Sequence, residues 1–194
     1  MPIEKTLFLM KMGKKISMTK IIFFDTDCIS SFLWTKTEKL LIHCFENRMI
    51  IPRQVYDEIS KVSYLRSRID EMVNSGHLLV EEISVASEEN KLYMDLTDFT
   101  KKSNLPLIGR GEAAAITLSK KHKGVLASNN LKDVKYYVEL YKLNHITTAD
   151  IIHQVVSDGI LTIPEADAIW SQMILKKRKL PFGSYTSYLK SFHK

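Results

Sequence analysis

The stretch Lys20-Ile21-Ile22-Phe23-Phe24-Asp25-Thr26-Asp27 decides the fold. Four β-branched or aromatic residues in succession, without polar alternation, read as a strand buried on both faces, the pattern of a parallel sheet. Ligands of open α/β sheets sit in the crevice beyond the carboxyl ends of such strands. The run therefore delivers the Asp25 carboxylate to a ligand crevice.

Outward from that strand, two more acids fall in segments that aim them at the same end of the sheet. In Ile50-Ile51-Pro52-Arg53-Gln54-Val55-Tyr56-Asp57-Glu58-Ile59 a short apolar strand stops at a proline and a helix begins, with Glu58 about two turns into it. Gly109-Arg110-Gly111-Glu112-Ala113-Ala114-Ala115-Ile116 sets glycines and an acid ahead of an alanine run, a helix start able to pack closely on a sheet. Carboxylates converging from one strand tip and two helices form a donor set for a hard divalent cation, Mg²⁺ or Mn²⁺. Acids gathered this way repel, so in metal-free protein at least one is expected to keep its proton above the ordinary carboxylate range.

The remaining pattern alternates between strand and helix. Helices are expected over 28–34, 39–46, 62–73, 87–102, 133–143, 149–156 and 163–177, and extended segments over 49–51, 78–83, around Val125 and over 145–147. Such repetition predicts an α/β fold of three layers, α/β/α, around a central parallel sheet. At 194 residues and 45% apolar content the chain suits one filled core. The expected division is an N-terminal extension over 1–19, with Met18 an alternative start, the α/β domain over 20–160, and extra C-terminal helices over 161–194 packed on that domain. No apolar run approaches the ~20 residues of a membrane span, and no signal-peptide pattern precedes the first strand, so no membrane association and a cytoplasmic location are expected. The two cysteines, Cys28 and Cys44, lie in apolar helical patterns and read as buried thiols.

A net charge of +6 favours a polyanionic partner. Arg53, Arg110 and Lys132 lie near the acids in sequence and are candidates to flank a phosphate. Lys176-Lys177-Arg178-Lys179, the densest basic run, ends a helical segment where cations complement the helix dipole. Phe182, Tyr185, Tyr188 and Phe192 have the spacing of a core-facing helix stripe, and also the chemistry to stack on bases.

The three acidic motifs, in this order, resemble the PIN-domain family of metal-dependent ribonucleases. That family carries an Asp after its first strand, here Asp25, then a V-x-x-E-I/L helix, here Val55-x-x-Glu58-Ile59, then a G-x-G-E-A helix start, here Gly109-x-Gly111-Glu112-Ala113. The resemblance spans about 20–152. It implies a PIN-like three-layer fold, Asp25, Glu58 and Glu112 as catalytic metal ligands, and hydrolysis of phosphodiester bonds in single-stranded RNA. It also implies a possible role as the toxin of a toxin–antitoxin pair (VapC-like), forming a homodimer and silenced by an antitoxin protein.

A further acid of that family follows a later strand. Here Val125-Leu126-Ala127 runs into Ser128-Asn129-Asn130-Leu131-Lys132-Asp133, and Asn130 occupies the acidic position. Asp133, three residues on, is the candidate catalytic substitute. Asp27, Ser128, Asn129, Asn130 and Arg110 are candidates to support the ligands or touch substrate, with Asp27 a possible helix cap. Two other readings stand beside this one. A PIN domain weakened at Asn130 would bind RNA or a protein without cutting. A haloacid-dehalogenase-type phosphatase would use Asp25-Thr26-Asp27 and Ala127-Ser128, but it leaves Glu58 and Glu112 unexplained.

Overall fold

The computed structural model describes residues 19–100 and 105–191. Residues 1–18 of the expected N-terminal extension, residues 101–102 of the expected 87–102 helix and Phe192 of the aromatic tail lie outside the described residues, and that helix already ends at Thr97, with Asp98 in extended backbone. In chain order the elements are β1 (Ile22–Phe24), α1 (Thr26–Thr35), α2 (Glu38–Phe45), β2 (Met49–Pro52), α3 (Arg53–Ile59), α4 (Ser63–Asn74), β3 (Leu78–Glu81) and α5 (Glu88–Thr97). They continue as α6 (Arg110–Lys121), β4 (Val125–Ala127), α7 (Leu131–Leu140), β5 (Asn144–Ile146), α8 (Thr148–Ser157), α9 (Ile163–Leu175) and α10 (Tyr185–Ser191).

The five strands form one sheet in the order β3-β2-β1-β4-β5, and every pairing is parallel. The chain builds outward from β1 to β3 on one side, then returns to place β4 and β5 on the other. The order thus reverses between β1 and β4, the switch point beyond which α/β sheets bind ligands. Side chains along β1 alternate across the sheet as a strand's period of two requires. Ile22 and Phe24 enter the large core beneath α1, α2, α4, α8 and α9, while Phe23 faces Leu118 of α6 on the opposite side. The second helical layer packs Tyr93, Leu96, Ala113 to Ile116, Val134 and Tyr137 against Leu126 of β4. Gly124 permits the approach of β4 to β1, because a Cβ there would lie 2.7 Å from the Phe23 ring and 2.8 Å from the Ile21 carbonyl.

The expected three-layer α/β/α architecture is the observed one, with shifts at element ends. The helix expected from Asp133 begins at Leu131, whose N–H turns back to the Asn129 carbonyl, so Asp133 lies inside the first turn. The extended segment expected over 78–83 pairs only as far as Glu81. Trp170, Tyr185 and Tyr188 are buried in the same core as β1, so these two tyrosines of the aromatic tail are packing material, whereas Phe182 is exposed ahead of α10. Cys28 is buried, but Cys44 is only partly so, a departure from the buried thiol expected there. Burial raises the Cys28 thiol well above its ordinary range, with the Asp25 charge adding to it, and raises Cys44 to about 12. Among the described residues no helix is long and apolar enough to cross a membrane.

Candidate active site

Asp25 stands at the last rung of the sheet. Its N–H donates to the Ala127 carbonyl at 3.0 Å, extending the β1–β4 ladder by one residue. There the chain turns into α1, and Asp25 becomes its N-cap, with Oδ1 accepting from the Cys28 N–H at 2.7 Å. The expected cap, Asp27, sits instead in the first turn of that helix. Oδ2 of Asp25 is buried and finds no hydrogen-bond partner of normal geometry. Burial raises the Asp25 pKa to about 7; the neighbouring Ser128 hydroxyl and the Cys28 N–H oppose the rise, and the charges of Asp27 and Glu112 add to it. The expected elevated acid therefore exists, but desolvation rather than crowding is its first cause.

Asp25, Glu58 and Glu112 line one cavity of about 200 Å³, together with Thr26, Asp27, Gly109, Arg110 and Gly111. Glu58 comes from the end of α3 and is fixed by the Thr26 hydroxyl, which donates to Oε2 at 2.7 Å. Glu112 is in the first turn of α6, where an acid complements the helix dipole. Its carboxylate lies against Gly109, so closely that a Cβ there would collide with it. Gly111 is equally constrained: a Cβ would lie 2.9 Å from Thr26 Oγ1 and 3.2 Å from Glu58 Oε2. The glycines are thus the room in which the acids stand.

Asn130 has a definite task. Its Nδ2 donates to Glu112 Oε1 at 2.7 Å and to Asp133 Oδ2 at 2.7 Å. Facing two carboxylates, the amide must present its nitrogen, and it joins acids that would otherwise repel. Asp133 is held to Glu112 through this bridge and is not among the residues lining the cavity, so it is not a direct replacement within the wall. Asn129, expected near substrate, is occupied elsewhere: it accepts from the Thr148 N–H at 2.9 Å and donates to the Thr148 hydroxyl at 2.8 Å, bracing α8. Ser128 is fully buried beside Asp25 and accepts from the Asn130 N–H at 3.3 Å.

Among the candidate cations only Arg110 lines the cavity. Arg53 turns away into ion pairs with Asp57 at 2.8 Å and Glu82 at 3.7 Å, and stacks on Tyr56. Lys132 is exposed and absent from the wall. A residue that sequence reasoning assigned only to a helix end, Arg178, reaches across from the C-terminal segment to Ser30 Oγ at 3.2 Å and Asp27 Oδ1 at 3.5 Å. Thr26 was likewise not singled out, although its place beside Asp25 was a signal available in the motif.

As placed, no three His, Cys, Asp or Glu side chains among the described residues are gathered closely enough to grip an ion. The acids ring a shared space, with Glu58 and Glu112 drawn toward Thr26 and Asn130. The donor chemistry still suits a hard cation: carboxylate oxygens, no thiolate in the wall, and a buried Asp25 oxygen with no hydrogen bond of normal geometry.

The fold is therefore an all-parallel three-layer α/β sheet with carboxylates around a cavity at its switch point. The family model described as a PIN domain matches residues 21–194, and the chain belongs to the PIN-domain family. The match runs through the C-terminal helices as well as the sheet. No curated protein matches the chain.

Proposed function

We propose that the chain is a cytoplasmic, Mg²⁺- or Mn²⁺-dependent endoribonuclease that hydrolyses phosphodiester bonds of single-stranded RNA, with Asp25, Glu58 and Glu112 holding the cation. The observation that carries this reading is the buried Asp25 Oδ2, without a hydrogen bond of normal geometry, at the wall of a cavity that Glu58 and Glu112 share. A divalent cation bound there would polarise phosphate and make attacking water more acidic. The protein's own residues do the positioning. The Cys28 N–H fixes the Asp25 carboxylate, the Thr26 hydroxyl fixes Glu58, and the Asn130 amide fixes Glu112 while tying Asp133 behind it. Arg110, exposed at the rim, supplies the charge that draws a phosphate toward carboxylates. A phosphate-sized cavity at the sheet tip suits an unpaired strand, whose backbone can be laid across it.

The test is degradation of an unstructured RNA by purified protein with Mn²⁺, with Mg²⁺ and with chelator. Cleavage with either metal and none in chelator is the expected result; intact RNA in all three reactions overturns the reading. One observation favours a second reading, an RNA-binding module that no longer cuts: Asn130 contributes no charge where the family has an acid, and the carboxylates stand apart. Such a module would retain RNA in chelator and leave it full length with Mn²⁺. The phosphatase reading is set aside, since Glu58 and Glu112 share the Asp25 cavity. The toxin role, with an antitoxin partner and a homodimer, rests on family resemblance. Growth arrest on expression, relieved by the product of an adjacent gene, is its test.

A further inference from the structure

The basic run Lys176-Lys177-Arg178-Lys179 is held in place on the molecule. Past the end of α9 the Lys177 N–H donates to the Ile174 carbonyl at 2.8 Å and the Arg178 N–H to the Met173 carbonyl at 3.0 Å, with Lys177 in the left-handed region at φ 59°. These two bonds make a Schellman close, which fixes the turn that carries the run. Arg178 then reaches Asp27 and Ser30 near the start of α1, and the Lys176 ammonium lies 5.7 Å from the centre of the Trp34 ring near that helix's end. The run therefore lies along α1. From Asp27 to Trp34 is roughly 10 Å at the ~1.5 Å rise of a helical residue, and Asp27 is itself part of the acid-cavity wall.

Within the run the charges are used differently. Arg178 is answered by the Asp27 carboxylate and anchors the segment. Lys176 faces a ring, which orients an ammonium without cancelling its charge. Lys177 and Lys179 are exposed and form no ion pair among the described residues. The acid at the far end of α1 is already taken: Glu38 pairs with Arg68, which lies over the Tyr64 ring, and Tyr64 stacks on Trp34 at 5.5 Å. Helix dipoles account for cations at a C-cap, as Lys176 is to α9 and Lys36 to α1. That field fades within the last turn, so Lys177 and Lys179, beyond the end of α9, are not placed by it. A row of uncancelled cations that starts beside a phosphate-sized cavity fits a polyanion whose charges repeat along a chain.

We propose, on the ribonuclease reading above, that Lys176, Lys177 and Lys179 form a second RNA contact outside the acid cavity, over which the strand runs along α1. The contact lies about three nucleotides from the cut, at the ~3.4 Å per nucleotide of a helical strand. It holds phosphates and reads no base. Arg178 positions the run and does not itself hold the strand.

The experiment measures binding and cutting separately on the full chain. Binding of a labelled unstructured RNA is followed against salt in chelator. The test variant replaces the three lysines together, Lys176→Gln, Lys177→Asn and Lys179→Gln, since asparagine accepts the left-handed backbone at 177. The slope of log affinity against log salt should become shallower by about 2, at ~0.7 for each phosphate released on a single strand. A control pair, Lys123→Asn and Lys142→Asn, removes exposed left-handed lysines that precede β4 and β5 at the opposite, amino end of the sheet, and should leave the slope where it is. In Mn²⁺, wild type should show a several-fold lower KM for RNAs that extend at least about three nucleotides past the cut on one side than for RNAs that stop short. The triple variant should lose that difference. An unchanged slope in the triple variant, an equal change in the control, or a length advantage that survives the substitutions overturns the proposal. If wild type cuts nothing, the ribonuclease reading fails by itself, and the salt slopes alone decide the RNA contact.

Discussion

The acid-lined tip of the sheet and the aromatic corner under α9 and α10 both bury polar atoms, and they treat them in opposite ways. In the corner every polar end finds a partner. The Trp170 indole N–H donates to the Phe182 carbonyl at 2.7 Å, the Tyr185 hydroxyl meets His153 Nδ1 at 2.9 Å, and the Tyr188 hydroxyl donates to Asp150 at 3.2 Å. Capping boxes at Thr147 and Thr162 close the helices that carry these groups. Burial raises both tyrosines above their ordinary range, so they stay neutral there. At the tip, Asp25 is equally buried, but its group ionises near neutrality and one oxygen has no partner. The corner satisfies its buried polar groups, and the tip leaves one unsatisfied, the group that the proposed cation would complete.

Asp25→Asn breaks the contrast with the largest effect. Loss of the central carboxylate should lower RNA cleavage by at least about 10²-fold, the scale on which one preorganised electrostatic group acts. The same change should stabilise the metal-free fold. The Asp25 pKa is about 7 in the folded protein against an ordinary 3.8, so the folded state binds this proton more tightly than the unfolded chain. Its contribution is fully present below the lower value, falls as pH rises between the two, and is absent above the higher. Asparagine is an equally good N-cap and carries no charge to bury. In chelator, thermal melts at about pH 8 should favour the variant by on the order of a few kcal/mol, and melts at about pH 4 should converge. Added Mn²⁺ should raise the melting temperature of wild type and not of the variant. Superimposable melts at the higher pH would remove the claim that this carboxylate is held against its solvation preference.

Trp170→Ala attacks the other member of the pair. Emptying a fully buried indole site should cost ~3–5 kcal/mol in denaturant unfolding. Cleavage per folded molecule should persist, because the ring lies in the core and away from the acid cavity. Equal fractional losses of activity and stability would mean the two regions are coupled more tightly than the geometry implies. Gly111→Ala should give a smaller, opposite split. Helix propensity gains up to ~1 kcal/mol, while the new methyl presses on Thr26 and Glu58, both side-chain ends that can yield. Cleavage should fall roughly tenfold, as a misplacement of a reacting group by a fraction of an ångström allows, with the unfolding midpoint unchanged or higher.

The same contrast explains what could be read in the sequence. Asp25 was legible because the strand and its carboxylate are adjacent, and the glycines around Glu112 announced a close-packed helix start. The choice of Asp25 over Asp27 as N-cap was not, since it depends on where the ladder ends, one rung past Phe24 on the Ala127 carbonyl. Asn130 looked like a deficit when compared position by position. Its function appears only when folding brings Glu112, eighteen residues away, to the same amide as Asp133. Thr26 and Glu58 are separated by 32 residues and meet for the same reason. Helix periodicity placed Tyr185 and Tyr188 in the core, though not Phe182, which stays exposed ahead of the helix, because burial is written in a local pattern, whereas hydrogen bonds between distant polar side chains are not.

Arg178 makes the finest test of the comparison, because it belongs to the well-packed C-terminal segment yet contacts the acid tip. It bonds Ser30 and Asp27 over a separation of 148 and 151 residues, and Asp27 lines the cavity. The pair with Asp27 is long, at 3.5 Å, and the Asp27 side chain is 43% exposed, so its direct worth to stability is small, below ~1 kcal/mol. Arg178→Ala should therefore leave the unfolding midpoint nearly where it is. Its effect should fall on the rate: freed from Arg178, Asp27 can turn toward Asp25 and add negative charge where phosphate must approach. A several-fold loss in kcat, partly restored in Arg178→Lys and shrinking as salt screens the added charge, is the expected signature of a positioning residue. A loss confined to KM would instead make Arg178 a contact for the RNA backbone, and no loss at all would reduce it to surface charge on a segment whose work is packing alone.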